Sequence, residues 1–333
     1  MTAGRIVGAG LVLGVLVAIA AWIAPSDSYL LLPDRAKPLA DKVEVEGERA
    51  YPPGGIFYVD VVIRKASFLE ELVPGLRPGG ADLVPEHAIV PEGSSFEERR
   101  RQNVRQMDRS KEIAAAVALR ELGYDVGAAP EGALVVAVAQ DAPAAGKLEP
   151  TDVIVGVDGE EVATPDDLRR LIGEREPGET VALRVRRGAR TTTVRVGTVE
   201  SPDEPVRPVV GIQVEQSAEI ELPVDVEIDL GRVGGPSAGL AFALDVVEEL
   251  RGNVDRGLDV AATGELELDG DVLPIGGVKQ KVLGARRAGI DVFLVPAGDN
   301  ADEARRHAGD LRVIAVESFG QALRALATVA RKR

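Results

Sequence analysis

Residues 234–239 read GGPSAG: Gly234, Gly235, Pro236, Ser237, Ala238, Gly239. Four small residues and one rigid one surround a single hydroxyl. Upstream, Val224, Val226, Ile228 and Leu230 alternate with Asp225, Glu227 and Asp229, the period of a half-buried strand. Downstream, 238–250 reads as a helix. The hexapeptide is therefore a strand-to-helix corner. That role explains the glycines and the proline but not the serine. A serine hydroxyl is a weak nucleophile until a base takes its proton, so the rest of the chain has to supply the base.

Histidine, the commonest partner, occurs twice. His87 lies in a proline-rich loop and His307 follows two arginines on a charged helix, so neither sits where a base is needed. The other choice is a lysine kept neutral by burial, because desolvation disfavours the ammonium form. The chain has eight lysines. Two stand in IGGVKQKVLGARRAG, 275–289. Lys279 and Lys281 are two residues apart and face nearly opposite ways on a helix. Lys281 shares its face with Val278, Gly284, Ala285 and Ala288, a small apolar stripe. Lys279 shares its side with Val282, Leu283 and Arg286. Helical geometry selects Lys281 as the lysine that can be buried.

GGPSAG and the later TGELELDGDVLPIGGVKQKVLGARRAGIDVFLVP together resemble the proteolytic domain of Lon proteases. The match includes Gly235-Pro236-Ser237-Ala238-Gly239, Thr263-Gly264-Glu265, Leu273 to Gly277, Lys279, Lys281, Ala285, Gly289-Ile290 and Val295-Pro296. The resemblance implies a Ser–Lys dyad with Ser237 as nucleophile and Lys281 as general base. It implies that Thr263 orients the amine and that Gly235, Pro236 and Ala238 shape the corner. It also implies an α+β or α/β fold. Lon-type domains commonly form rings, so a homo-hexamer is consistent with it. Lon chains usually carry an ATPase, yet no G-x-x-x-x-G-K-[ST] occurs here; PAAGKL at 143–148 lacks the first glycine and the hydroxyl. The expected activity is ATP-independent cleavage of unfolded or extended polypeptides, with no cofactor and no metal.

Residues 132–199 form a different, β-rich unit. It has a strand at 134–138, DAPAAGKLEPTDVIVGVDGEEV, a short helix at 165–172, and two alternating strands. It resembles a PDZ domain through Ala142-Pro143-Ala144, Leu148, Asp152-Val153-Ile154, Val157, Asp158-Gly159 and Leu168. PDZ domains bind extended peptides, often C-termini, at a sheet edge. On that basis Gly132, Ala133 and Leu134 are the expected capture loop. The helix MDRSKEIAAAVALRELG, 107–123, is similar to the Met-x-x-Ser helix of Lon. This predicts a protease fold beginning in 27–125, interrupted by a PDZ domain at 126–200 and completed by 201–333.

Ile6 to Ala24 is an uncharged run of 19 residues, matching the roughly 30 Å of a bilayer core. Arg5 precedes it and Asp27 follows, so residues 1–26 read as a transmembrane helix with a short cytoplasmic tail and the body outside the membrane. The competing reading is a signal peptide cleaved near Ala18–Ala20. A strand is expected at 56–63, the turn YPPGG at 51–55 and a linker at 200–208. Net charge is −15, which disfavours nucleic acid, and cysteine is absent. The expected partners are polypeptide substrates, a PDZ peptide, the bilayer and other copies of the chain. The competing function is a membrane-tethered peptide-binding scaffold with an inactive Lon-like domain.

Overall fold

The computed structural model describes residues 3–46, 55–90, 96–201, 207–231 and 233–329. Residues 51–54 of the YPPGG turn and most of the 200–208 linker lie outside these residues.

The chain begins with helix α1 (Ala3–Ile23). Strands β1 (Pro25–Pro33), β2 (Lys37–Pro38), β3 (Val43–Val45), β4 (Ile56–Tyr58) and β5 (Val61–Ser67) follow, then the one-and-a-half-turn helix α2 (Phe68–Leu72) and strand β6 (Asp82–Pro85). Helix α3 (Phe96–Glu121) leads into β7 (Gly127–Val138), β8 (Val153–Val157), helix α4 (Pro165–Gly173), β9 (Thr180–Arg187) and β10 (Arg190–Gly197). Next come β11 (Ile212–Glu221), β12 (Val226–Ile228), helix α5 (Gly239–Arg251), β13 (Val260–Ala262), β14 (Glu265–Leu266) and β15 (Val272–Leu273). Helix α6 (Val278–Ala288), β16 (Val292–Pro296), helix α7 (Asp299–His307), β17 (Arg312–Val316) and helix α8 (Phe319–Thr328) complete it.

The expected strand at 56–63 is two strands in two sheets. β4 runs parallel to β13, whereas β5 pairs antiparallel with β1. The break falls at Val59-Asp60. A carboxylate in an apolar run has no place inside a ladder buried on both faces, and the chain turns there.

The main sheet has the order β2-β4-β13-β16-β17, with β4, β13, β16 and β17 parallel. All five residues of β16 are buried, as a parallel strand covered on both faces requires. Helix α5 is buried from Gly239 to Glu248, so it is a central helix rather than an amphipathic cover. Its core contains Phe242 and Leu244 together with Met107, Ala114 and Val117 of α3, and with Val43, Val45 and Ile56 from early in the chain. β3 also pairs with β12.

Helix α6 lies close to the segment after β1 because of one residue. A Cβ on Gly284 would stand 1.8 Å from the Asp34 carbonyl oxygen. Gly284→Ala therefore forces helix and segment apart. The expected loss is about 2 kcal/mol or more of unfolding free energy, read from urea unfolding of the full chain.

The second sheet has the order β10-β9-β8-β7-β11. Ala144, Leu148, Ile154, Val157 and Leu168, expected to define this unit, are all in its buried core with Leu171, Leu183 and Val185. Thr164 caps α4 through a reciprocal bond with Asp167, followed by Pro165 at the first turn. β11 was not evident in the sequence, because after Val214 its pattern gives way to Glu, Gln and Ser. It nevertheless pairs along the whole length of β7, from Ile212–Val138 to Glu221–Gly127.

This pairing corrects the expected capture loop. Gly132, Ala133 and Leu134 face Ser217, Gln216 and Glu215 on one side. Ala133 and Leu134 also face Ile154 and Val153 on the other. With both backbone edges of Ala133 and Leu134 in use, an added peptide has no edge to join there. The terminal strand of the sheet is β11.

Among the described residues no helix is long and apolar enough to cross a membrane. The side chains of 3–10 and 17–18 in α1 lie outside the described residues, which leaves only part of the apolar run described. In that part Leu11, Leu13, Leu16 and Trp22 are exposed.

Candidate active site

The corner at 234–239 is braced from α3. Gly235, with φ of +92°, adopts a backbone conformation that favours glycine, and its N–H donates to the Asn103 carbonyl at 2.7 Å. Ser110 is buried, and its hydroxyl donates to the Pro236 carbonyl at 3.0 Å. Ser237 itself lies two residues before α5, with Ala238 at the cap position.

Lys281 comes from the first turn of α6 and is 3% exposed. Its Nζ lies 2.8 Å from Ser237 Oγ and 3.0 Å from Thr263 Oγ1. Thr263 follows β13 and is fully buried. Its hydroxyl donates to the Ser237 carbonyl at 2.9 Å, and the Gly264 N–H donates to the same oxygen at 2.9 Å. The Thr263 proton is thereby committed, so Oγ1 must accept an N–H from Lys281. A neutral amine has two N–H bonds and one lone pair. With one N–H held by Thr263, the lone pair can be turned to the Ser237 hydroxyl.

Burial makes the neutral amine accessible. Desolvation pushes the Lys281 ammonium down from 10.5 to about 7, against the opposing pull of the Asp60 carboxylate. Asp60 is itself raised by burial, chiefly, despite accepting a bond from Lys37. Lys279 is half-buried and pairs with Asp82 at 2.5 Å, away from Ser237. Neither His87 nor His307 is among the hydrogen-bond partners of Ser237.

The structure thus brings together Ser237, Lys281 and Thr263, with Gly235, Pro236 and Ala238 in the corner. Gly132, Ala133 and Leu134 are in the other sheet. Sequence reasoning missed Asp60, Asn103 and the contact from Ser110 to Pro236. A carboxylate inside the apolar run 56–63 was the available signal for Asp60. Asn103 acts through its carbonyl, which no residue pattern marks.

One cleft adjoins the corner and a second lies in the other sheet's unit. The first, of about 790 Å³, is lined by Ser110 and Pro236, by Leu266 and Glu267 after β13, and by Leu134, Glu215 and Ala218 of β7 and β11. The other, of about 560 Å³, lies between α4 and the start of β11. It is lined by Leu168, Ile172, Val210, Gly211, Ile212 and Val214. No cluster of ligands that could hold a metal ion is present among the described residues.

Comparison with known proteins identifies two domains. Residues 213–328 match the family described as the Lon protease (S16) C-terminal proteolytic domain. Residues 98–198 match the PDZ domain family. The chain is 51% identical over 81 residues to Lon protease 1 of Sorangium cellulosum, covering 24% of this chain and 10% of that protein. It is 52% identical over 68 residues to Lon protease of Escherichia coli, covering 20% of this chain and 8% of that protein. The matches therefore span about a tenth of these relatives' length. Among solved structures, the PDZ domain of an SdrC-like protein from Listeria monocytogenes is 24% identical. It covers 25% of this chain and 87% of that chain, with a TM-score of 0.24. The chain thus carries a Lon-type proteolytic domain and a PDZ domain in one mixed α/β polypeptide.

Proposed function

We propose that the chain is a serine endopeptidase in which Ser237 is the nucleophile and Lys281 the general base. The observation that carries this is the buried Lys281 amine 2.8 Å from Ser237 Oγ, held by Thr263. In the reaction, Lys281 takes the hydroxyl proton as Ser237 Oγ attacks the scissile carbonyl. The developing oxyanion lies near the positive end of α5; the Gly239 and Leu240 N–H groups there already donate to the Pro236 and Gly264 carbonyls, so what the helix supplies is its dipole. Lys281 then returns the proton to the leaving amine. Water, deprotonated by the same lysine, attacks the acyl-enzyme, and the lysine returns that proton to Ser237 Oγ as the ester bond breaks and the acid product leaves.

The reading extends to the rest of the chain. Residues 27–125 and 222–333 together form the protease fold, and the PDZ domain, completed by β11, is inserted between them. This is supported by the shared core of α3 and α5 and by the pairing of β3 with β12. The peptide site of the PDZ domain is the outer edge of β11 against α4, where an extended chain can add as a further strand. β11 reaches from that groove to the cleft beside Pro236, so one strand joins the peptide groove to the cleft next to the nucleophile's corner. The exposed apolar surface of α1 supports a membrane anchor, with the body outside the cytoplasm. Substrates are unfolded or extended polypeptides, cut without ATP.

The test is hydrolysis of a permanently unfolded protein by the full chain in detergent, without nucleotide. Wild type cleaves and Ser237→Ala does not. Equal cleavage by the two would remove Ser237 from the mechanism.

A further inference from the structure

The end of α1 is covered on one side by the segment 67–77. The Phe68 N–H donates to the Ala24 carbonyl at 2.9 Å, so α2 starts where α1 stops. Ser67 and Glu70 form a reciprocal cap at the start of α2. Glu70 is buried, and Arg64 holds it with two bonds, pushing its carboxyl down to about 2. Arg77 donates to the Glu70 and Glu71 carbonyls, which the end of so short a helix would otherwise leave open. The polar groups of this segment are thus largely satisfied from within.

Its apolar side chains are turned outward instead. Phe68 is 54% exposed and Leu72 67%, and Val73 and Leu76 are exposed beside them. These four continue the exposed apolar surface of Trp22 and Ile23 at the end of α1. An apolar patch rimmed by polar residues marks an interaction surface. Here it is continuous with the helix read above as the anchor, and this inference rests on that reading.

We propose that α2 and the following turn lie in the lipid interface, with Phe68, Leu72, Val73 and Leu76 among the headgroups and upper acyl chains. The protein then holds the bilayer at two points, and the second fixes the tilt of the body. With net charge of −15, the contact is apolar rather than ionic. It forms on zwitterionic lipid and survives salt.

The chain has no cysteine, so a single introduced thiol reports one position. Leu13→Cys, Leu72→Cys and Asp166→Cys carry an environment-sensitive fluorophore in full chains reconstituted into phosphatidylcholine vesicles. Nitroxide-bearing lipids act as quenchers. Labels at 13 and 72 are quenched several-fold more than the label at 166, and at 72 the shallow nitroxide is the stronger. Quenching at 13 without quenching at 72 overturns the proposal and leaves the anchor standing. No quenching at either position overturns both. A label at 72 that is shielded from water, unquenched by lipid and sensitive to protein density also overturns it, with a second copy as the occupant.

Discussion

Lys281→Met lowers kcat/KM by about 10³-fold or more, the size expected for loss of a general base. Wild-type kcat/KM rises about tenfold per pH unit up to about 7, where the folded lysine loses its proton, and then levels off. The methionine variant keeps only a residual rate without that limb. Ser237→Ala has an effect of similar size, and the double variant is scarcely worse than either, because the two residues act as one unit. A Lys281→Met enzyme with the wild-type pH profile would show that some other group is the base.

The same substitution stabilises the protein. In the unfolded chain Lys281 holds its proton up to about 10.4; in the folded chain only up to about 7. Between these values the unfolded state binds more protons, so this residue makes stability rise with pH over that window. Below about 7 the penalty is complete, on the order of 4–5 kcal/mol. Methionine fills similar volume and carries no charge. It forfeits the bonds to Ser237 and Thr263, at about 1 kcal/mol each. The expected net gain is about 2–4 kcal/mol at pH 7, shrinking towards pH 10. Urea unfolding of the full chain at the two pH values measures it. A variant less stable than wild type at pH 7 would mean that Lys281 is charged and paired in the fold. Loss of activity with gain of stability separates a strained base from a structural ion pair, whose removal destabilises.

The unevenness of what the sequence discloses has physical causes. Burial of Lys281 is legible because α6 has a small apolar face, and a helix converts spacing directly into direction. α6, Val278–Ala288, lies within the stretch 275–289 that the sequence reading treats as a helix. Ser237 is legible because its neighbours are unusual. The place of Asp60 is not, since it depends on β4 and β5 leaving in different directions to different sheets. β11 is obscure for a related reason. It lies at the end of its sheet, so only Ser217 of its residues is fully buried, and Gln216 breaks the alternation of Ile212, Val214, Ala218 and Ile220. Missing β11 moved the expected peptide site to β7, one strand inward.

β11 also bears on how such a chain can be divided. It is the outermost strand of the PDZ sheet and at the same time a wall of the cleft beside Pro236. Cutting out 126–200 as a cassette would leave ten residues of β11 with the hydrogen-bonding groups once matched to β7 bare. Such an edge invites pairing between molecules. The two units are distinct in their cores yet share this piece of backbone, so neither has a seam at which the other can be cleanly removed.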